Sequence, residues 1–247
     1  MTEPEIRAVV FDLDGTLVDS TQMHIAVWTH AVKPLGISLP AKVFRSGLGA
    51  GYEPFLDMIA IAAGQMIGPS QRSALIAEHE TALIEMSGDA HALPGAAEIW
   101  QSLTESRIPY AVATSASPAA ARTMVVDVLG GVNVPIITSK DVKHPKPAPD
   151  IILAAAARLD LEPTQIIVVG DSVWDMRAAA TAGAQFIGVG TGSASVSEFA
   201  DEGVTAVSNL WAAAPVIHAR LGLPRPRTSG NAGGAGVSSV RWGRFTS

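Results

Sequence analysis

The sequence contains no cysteine, so disulfide bonds and thiolate catalysis are both excluded. Charge is sparse as well. Only 16% of residues are charged and the net charge is −6, which argues against nucleic acid as the main partner. No uncharged apolar run reaches about 18 residues, so no membrane span is expected. The first residues, Met1-Thr2-Glu3-Pro4-Glu5, lack the basic-then-apolar order of a signal peptide, and a soluble cytoplasmic protein is the default expectation. No repeat of roughly 20–50 residues is present. The six histidines form no zinc-type spacing. The glycines at 47, 49 and 51 and those at 188, 190 and 192 miss the dinucleotide-binding spacing, so both stretches read as loops. What remains is a chain of 247 residues, 48% of them apolar, which suffices for a sizeable core.

The informative stretch is 6–16, Ile6-Arg7-Ala8-Val9-Val10-Phe11-Asp12-Leu13-Asp14-Gly15-Thr16. Ala8 to Phe11 shows no alternation, as expected of a strand buried on both faces of a parallel sheet. Asp12 and Asp14 then fall at the strand's carboxyl end, where open α/β sheets bind ligands. Two carboxylates there repel unless a cation offsets them. Asp14-Gly15 alone would also fit a hairpin corner. A calcium loop would need Gly at 17 and Glu at 23, where Leu17 and Met23 stand, so that reading fails.

From residue 96 onward the pattern alternates. Helices are expected at 96–106, 118–129, 149–159 and 174–182, and strands at 109–113, 134–138, 165–170 and 184–189. A short strand near 204–207 and a last helix follow. The fold class is therefore α/β, a Rossmann-like doubly wound parallel sheet. Residues 20–90 contain only helical stretches: 19–35, capped by Asp19 or Ser20, then 55–63 and 71–86. Inserted directly after the first strand, this block would overhang the carboxyl ends of the sheet. The expected organisation is a core domain of 1–18 and 92–222, a helical cap of 19–91 with hinges near 17–20 and 90–95, and a disordered basic tail of 223–247.

Polar groups recur at three further strand ends. Thr114-Ser115-Ala116-Ser117-Pro118 offers hydroxyls at a helix start. Lys143-His144-Pro145-Lys146-Pro147-Ala148-Pro149-Asp150 holds Lys146 among three alternate prolines that stiffen its loop, with Lys143 less constrained. Gly170-Asp171-Ser172 is followed by Asp175 one helical turn on, although Asp171 could serve as an ordinary cap. In the helical block, Arg45 is a candidate to meet a second anionic group and His24 to meet substrate. His24 and Trp28 also share one helix face, as packing residues do.

Together these stretches resemble the haloacid dehalogenase superfamily. Asp12-Leu13-Asp14-Gly15-Thr16 is similar to its first motif, Thr114-Ser115 to the second, Lys146-Pro147-x-Pro149-Asp150 to the third and Gly170-Asp171-Ser172-x-x-Asp175 to the fourth. The helical block resembles the C1 type of cap found in phosphoglycolate-phosphatase-like and β-phosphoglucomutase-like members. The resemblance implies a phosphatase acting on a small phosphorylated metabolite, with Asp12 as nucleophile and Asp14 as general acid and base. It implies Mg²⁺ held by Asp12, the Asp14 backbone carbonyl and Asp171, with Asp175 acting nearby. Lys146 and a hydroxyl at Thr114 or Ser115, with Thr114 slightly preferred, would hold the phosphoryl oxygens. Asp14 argues against dehalogenase chemistry, which lacks a second acid. A sugar phosphomutase and a non-catalytic binding protein are the alternatives. Gly170 stands where β-phosphoglucomutase-like members often carry an additional acid, which favours hydrolysis. The sequence leaves the oligomeric state open.

Overall fold

The computed structural model describes residues 5–131 and 133–226. Most of the tail expected at 223–247 thus lies outside the described residues. Within them, the Leu223 N–H donates to the His218 carbonyl and the Pro224 carbonyl lies 2.6 Å from His218 Nδ1, so these two residues are tied to the last helix.

The described residues form six strands: β1 (Ala8–Phe11), β2 (Tyr110–Ala113), β3 (Ile136–Ile137), β4 (Ile166–Gly170), β5 (Gln185–Val189) and β6 (Ala206–Val207). They form one sheet in the order 3-2-1-4-5-6, every pairing parallel. This is the doubly wound architecture that the alternating pattern predicts. Ten α-helices accompany them: α1 (Thr21–Ala31), α2 (Ala41–Gly47), α3 (Tyr52–Ala63), α4 (Pro69–Met86), α5 (Ala96–Glu105), α6 (Pro118–Thr123), α7 (Asp150–Arg158), α8 (Val173–Ala182), α9 (Val196–Asp201) and α10 (Leu210–Arg220). The helix expected over 118–129 is α-helical only to Thr123 and continues as a π-helix over Met124–Val128. The strand expected over 134–138 pairs only at Ile136 and Ile137. The block before α5 also contains α2, which the sequence reading left unassigned.

β1 is fully buried, and its two faces explain why its sequence does not alternate. Val9 and Phe11 pack with α5, α6 and α10 residues such as Ile99, Ala120 and Ile217. Ala8 and Val10 pack with Ile152 and Ala155 of α7 and Ala179 of α8. With helices on both faces, every β1 side chain meets apolar neighbours, and each fully buried large one contributes roughly 1.5–3 kcal/mol.

The segment between β1 and α5 has its own apolar cluster, with Trp28, Phe44, Phe55, Leu56 and Ile59 at its centre. Its two connections to the sheet run side by side. The Asp19 N–H donates to the His91 carbonyl at 2.9 Å, and the Leu93 N–H to the Leu17 carbonyl at 2.8 Å. The turn between α2 and α3 lies over the carboxyl ends of the strands. There Trp174 Nε1 donates to the Ser46 carbonyl and Ser115 Oγ to the Gly49 carbonyl, each at 3.0 Å. No helix among the described residues is long and apolar enough to cross a membrane.

Candidate active site

The register of the sheet assembles the site. Phe11 pairs with Val112 on one side and Val169 on the other, so the residues that follow β1, β2 and β4 emerge together. The Asp12 N–H donates to the Val169 carbonyl at 2.8 Å, which holds Asp12 beside the end of β4.

Lys146 is 1% exposed and brings three of these loops to one point. Its Nζ donates to Asp12 Oδ1 at 2.6 Å, to Asp175 Oδ1 at 2.6 Å and to the Ala113 carbonyl at 3.1 Å. Burial alone would lower its pKa, but Asp12 and Asp175 outweigh that and hold it above the ordinary lysine value. Lys143, the less constrained candidate, is exposed.

Asp171 is fixed from three sides. Thr16 Oγ1 donates to its Oδ1 at 3.2 Å and the Ser193 N–H to its Oδ2 at 2.6 Å. Gly15 and Gly192 press on it: a Cβ at Gly15 would lie 2.7 Å from Oδ2, and one at Gly192 would overlap the carboxylate. The cap of α8 is Ser172 rather than Asp171, and the Ser172 hydroxyl also donates to Asp175 Oδ2. That frees Asp171 from a merely structural use and gives Asp175 two partners, Ser172 and Lys146.

Oxygens of Asp12, Asp171 and Asp175 lie within 4.8 Å of one another, all buried. A single lysine faces these three carboxylates. Burial and Asp175 push Asp171 up to about 7, against the pull of the Ser193 N–H and Lys146. Asp12 is raised too, by burial first and then Asp175, with Lys146 opposing. An excess of buried carboxylate oxygen is a donor set suited to a hard divalent cation such as Mg²⁺, so the residues fit that group.

The raised carboxyls carry a consequence for stability. A folded-state pKa near 7 for Asp171, against about 3.9 unfolded, means that the native protein binds the extra proton. Stability then falls as pH rises across that interval. Asp14 and Glu198 are held low, whereas His79, kept neutral in the fold, takes up a proton only when unfolded and opposes the trend below about pH 6.5. In EDTA the thermal midpoint is expected to drop between about pH 6.5 and pH 8, where His79 no longer opposes the carboxyls. Mg²⁺, which binds the deprotonated form, should stabilise more at the higher pH. Scanning calorimetry at both pH values checks this, and a midpoint that rises with pH in EDTA contradicts it.

Asp14 sits at the mouth of the cluster, half-buried. Its Oδ1 accepts from Ser20 Oγ at 2.7 Å and lies 3.0 Å from His24 Nε2. Burial would raise its pKa, but His24 and Ser20 outweigh this and hold it below the usual carboxylate value. Ser20 occupies the cap position of α1 without a capping bond, because its hydroxyl turns to Asp14. His24 therefore touches Asp14, while Trp28 packs, 2% exposed, in the helical cluster.

Of the two hydroxyls after β2, Thr114 is buried and its Oγ1 accepts from the Ala116 N–H at 3.0 Å. Ser115 is more exposed and donates across to Gly49. Both border a cavity of about 60 Å³ that opens onto Asp12, Asp14 and Asp171. Arg45 does not line it. Its Nη1 donates to the Gly192 carbonyl at 3.1 Å, which corrects the expectation that it would meet a substrate anion.

Sequence reasoning missed Thr16, the 191–193 loop and His79. Thr191 Oγ1 donates to the Gly15 carbonyl at 2.6 Å, so this loop braces both the first and the fourth motif. The glycines at 188, 190 and 192 were the available signal.

A haloacid dehalogenase-like hydrolase family model matches residues 6–183. The chain belongs to this family. Validoxylamine A 7'-phosphate phosphatase of Streptomyces hygroscopicus is 31% identical over 188 residues, covering 75% of this chain and 86% of the relative. Beta-phosphoglucomutase of Bacillus subtilis is 27% identical over 195 residues, covering 76% and 84%. Among solved structures, a hydrolase from Pseudomonas syringae superposes with a TM-score of 0.79 at 28% identity, covering 87% of this chain and 98% of that one. The haloacid dehalogenase-like chain is an enzyme of the phosphatase type.

Proposed function

We propose that the protein is a magnesium-dependent phosphatase that hydrolyses a small phosphorylated metabolite with an uncharged leaving group, through an aspartyl phosphate on Asp12. The observation that carries this is Lys146, buried and clamped between Asp175 and Asp12, the carboxylate that the cavity reaches. A lysine in that place cancels part of the repulsion between a carboxylate and a phosphate dianion, which otherwise blocks attack.

Asp12 attacks phosphorus while Asp14, ionised in the free protein and taking up a proton when the phosphate dianion binds beside it, gives that proton to the departing oxygen. Asp14 then takes a proton from the water that hydrolyses the acyl phosphate. Lys146 and the Ser115 hydroxyl hold phosphoryl oxygens as charge shifts. Ser115 is favoured over Thr114 because its hydroxyl can turn from Gly49 to a phosphoryl oxygen. Mg²⁺, held by Asp12, the Asp14 carbonyl and Asp171 with Asp175 nearby, supplies charge neutralisation at the phosphoryl group when bound. Residues 19–91 act as a cap on the core of 1–18 and 92–222, and their connections near 17–20 and 90–95 act as hinges.

The wall contributed by the helical segment selects the leaving group. Trp28, Leu48, Tyr52, Phe55 and Leu83 line the cavity, among the described residues no lysine or arginine of this segment does, and Arg45 Nη1 donates to the Gly192 carbonyl instead. A second anionic group would be desolvated there without a partner. Phosphate release measured over a panel of monoesters tests the reading. Esters of uncharged alcohols should exceed phosphoglycolate and pyrophosphate by at least about tenfold in kcat/KM. Preference for the doubly anionic esters would overturn the leaving-group assignment. No release from any ester would favour a binding protein.

The mutase reading is disfavoured by one contact. A Cβ at Gly170 would lie 2.6 Å from the Asp175 Cβ, so this backbone has no room for an additional acid there. Interconversion of glucose phosphates would reverse that judgement.

A further inference from the structure

Asp14 receives both of its side-chain hydrogen bonds on one oxygen. Ser20 Oγ and His24 Nε2 converge on Oδ1, and among the described residues no hydrogen bond reaches Oδ2. Behind His24 stands a second imidazole, His79 of α4, with its Nε2 3.1 Å from His24 Nδ1. His79 is buried, stacked on Trp28 at 4.1 Å between ring centroids, with Tyr52 edge-on at 5.7 Å. Among the described residues its Nδ1 has no partner.

We propose that His79 is a positioning residue: through His24 it fixes a single donor direction onto Asp14 Oδ1 and so reserves Oδ2 as the oxygen that exchanges a proton with the leaving group. This rests on the reading of Asp14 as the acid.

The direction follows from counting hydrogens. For His24 Nε2 to donate to a carboxylate it must carry a proton, and in the neutral ring Nδ1 is then an acceptor. The neighbour 3.1 Å away must donate into it, so His79 carries its proton on Nε2. In the opposite arrangement a neutral His24 would turn a bare nitrogen toward a carboxylate oxygen, and only a doubly protonated ring would avoid this. His79 would at the same time bury an N–H on an unpartnered Nδ1. Both are costly. His79 stays neutral, because burial, reinforced by His24, pushes its pKa down to about 2 against the opposing pull of Asp14. The stack on Trp28 prevents the ring from turning out of line.

A carboxyl proton sits on the oxygen that is not already accepting two hydrogen bonds. On Asp14 that is Oδ2. As the bond from phosphorus to the leaving oxygen breaks, the Oδ2 proton passes to that oxygen and its electron pair stays on Asp14 as carboxylate. In the hydrolytic half, Oδ2 takes a proton from water as the water oxygen bonds to phosphorus. The two histidines hold the acid and do not themselves carry the proton.

His79→Leu and His79→Gln, assayed on two esters, test this. Dinitrophenolate leaves without protonation, whereas the alkoxide of glycerol phosphate does not. For His79→Leu, kcat/KM is expected to fall by about thirtyfold on glycerol phosphate and by less than about twofold on dinitrophenyl phosphate. His79→Gln, which keeps a donor toward His24, should recover most of the loss. Equal losses on the two esters, or no loss on glycerol phosphate, would overturn the proposal. A second readout works without turnover: ring nitrogen NMR of the wild type should place the protons of His24 and His79 on Nε2. A proton on Nδ1 of either ring also overturns it. A wild type that releases phosphate from neither ester defeats the phosphatase reading, and the nitrogen spectra still decide the hydrogen-bond chain.

Discussion

Asp12→Asn is expected to abolish phosphate release while leaving the metal-free protein at least as stable as wild type. The amide cannot attack phosphorus, and loss of a nucleophile lowers kcat by at least about ten-thousand-fold. The stability half follows from charge. Asp12 lies among Asp171 and Asp175 with one lysine to neutralise them, and burial together with Asp175 already raises its pKa. An ionised Asp12 therefore opposes folding in the absence of metal, and the amide removes that charge while its oxygen still accepts from Lys146. Lys146 keeps Asp175 as an anionic partner at 2.6 Å. Calorimetry of the metal-free variant should give a midpoint equal to or above that of wild type near neutral pH. Phosphate release from an aryl ester with Mg²⁺ checks the other half. A midpoint that collapses would make Asp12 a structural residue, and retained turnover would move the nucleophile elsewhere.

The parts of this site visible in the sequence are those that a parallel sheet places by rule. A run such as Ala8–Phe11 can be read as a strand because both faces are apolar, and the residues after it must then emerge at the ligand edge. Asp12, Lys146, Asp171 and Asp175 were found in this way, and the structure brings all four together. The parts that were not visible depend on which partner a side chain chooses. Ser20 carries the composition of a helix cap, yet its hydroxyl points to Asp14. Arg45 has the charge to bind an anion, yet the glycine-rich loop offers it a carbonyl first. Thr16 and Ser193 reach Asp171 across 155 and 22 residues of chain, and no local pattern announces such a choice. His79 and His24 are 55 residues apart, on helices whose packing the 3.6-residue period does not specify. Strand limits failed as well. β3 keeps only Ile136 and Ile137, and Pro135 before them has no N–H to extend the ladder.

Lys146→Met should act in the opposite sense to Asp12→Asn. The substitution keeps the length of the side chain and removes the cation that contacts both Asp12 and Asp175. Leaving buried carboxylates without their partner costs about 3–5 kcal/mol, which corresponds to a fall in midpoint of roughly 10 °C for a chain of this size. The penalty is largest where the carboxylates are ionised, so it should shrink as pH falls toward about 5 and as Mg²⁺ is added. Turnover should also fall, by about a thousandfold, because the positive charge beside Asp12 is lost. Lys143→Met is the control. That lysine is exposed three residues away, and its loss should stay within about 0.5 kcal/mol. A combined Asp12→Asn, Lys146→Met variant separates charge from packing. If the cost of Lys146→Met is unpaired charge, removing Asp12 as well restores part of the lost stability, and the two changes are non-additive by about 1 kcal/mol or more. Strict additivity would mean that Lys146 supports the fold through its buried methylenes, and its place beside Asp12 would then say nothing about phosphate.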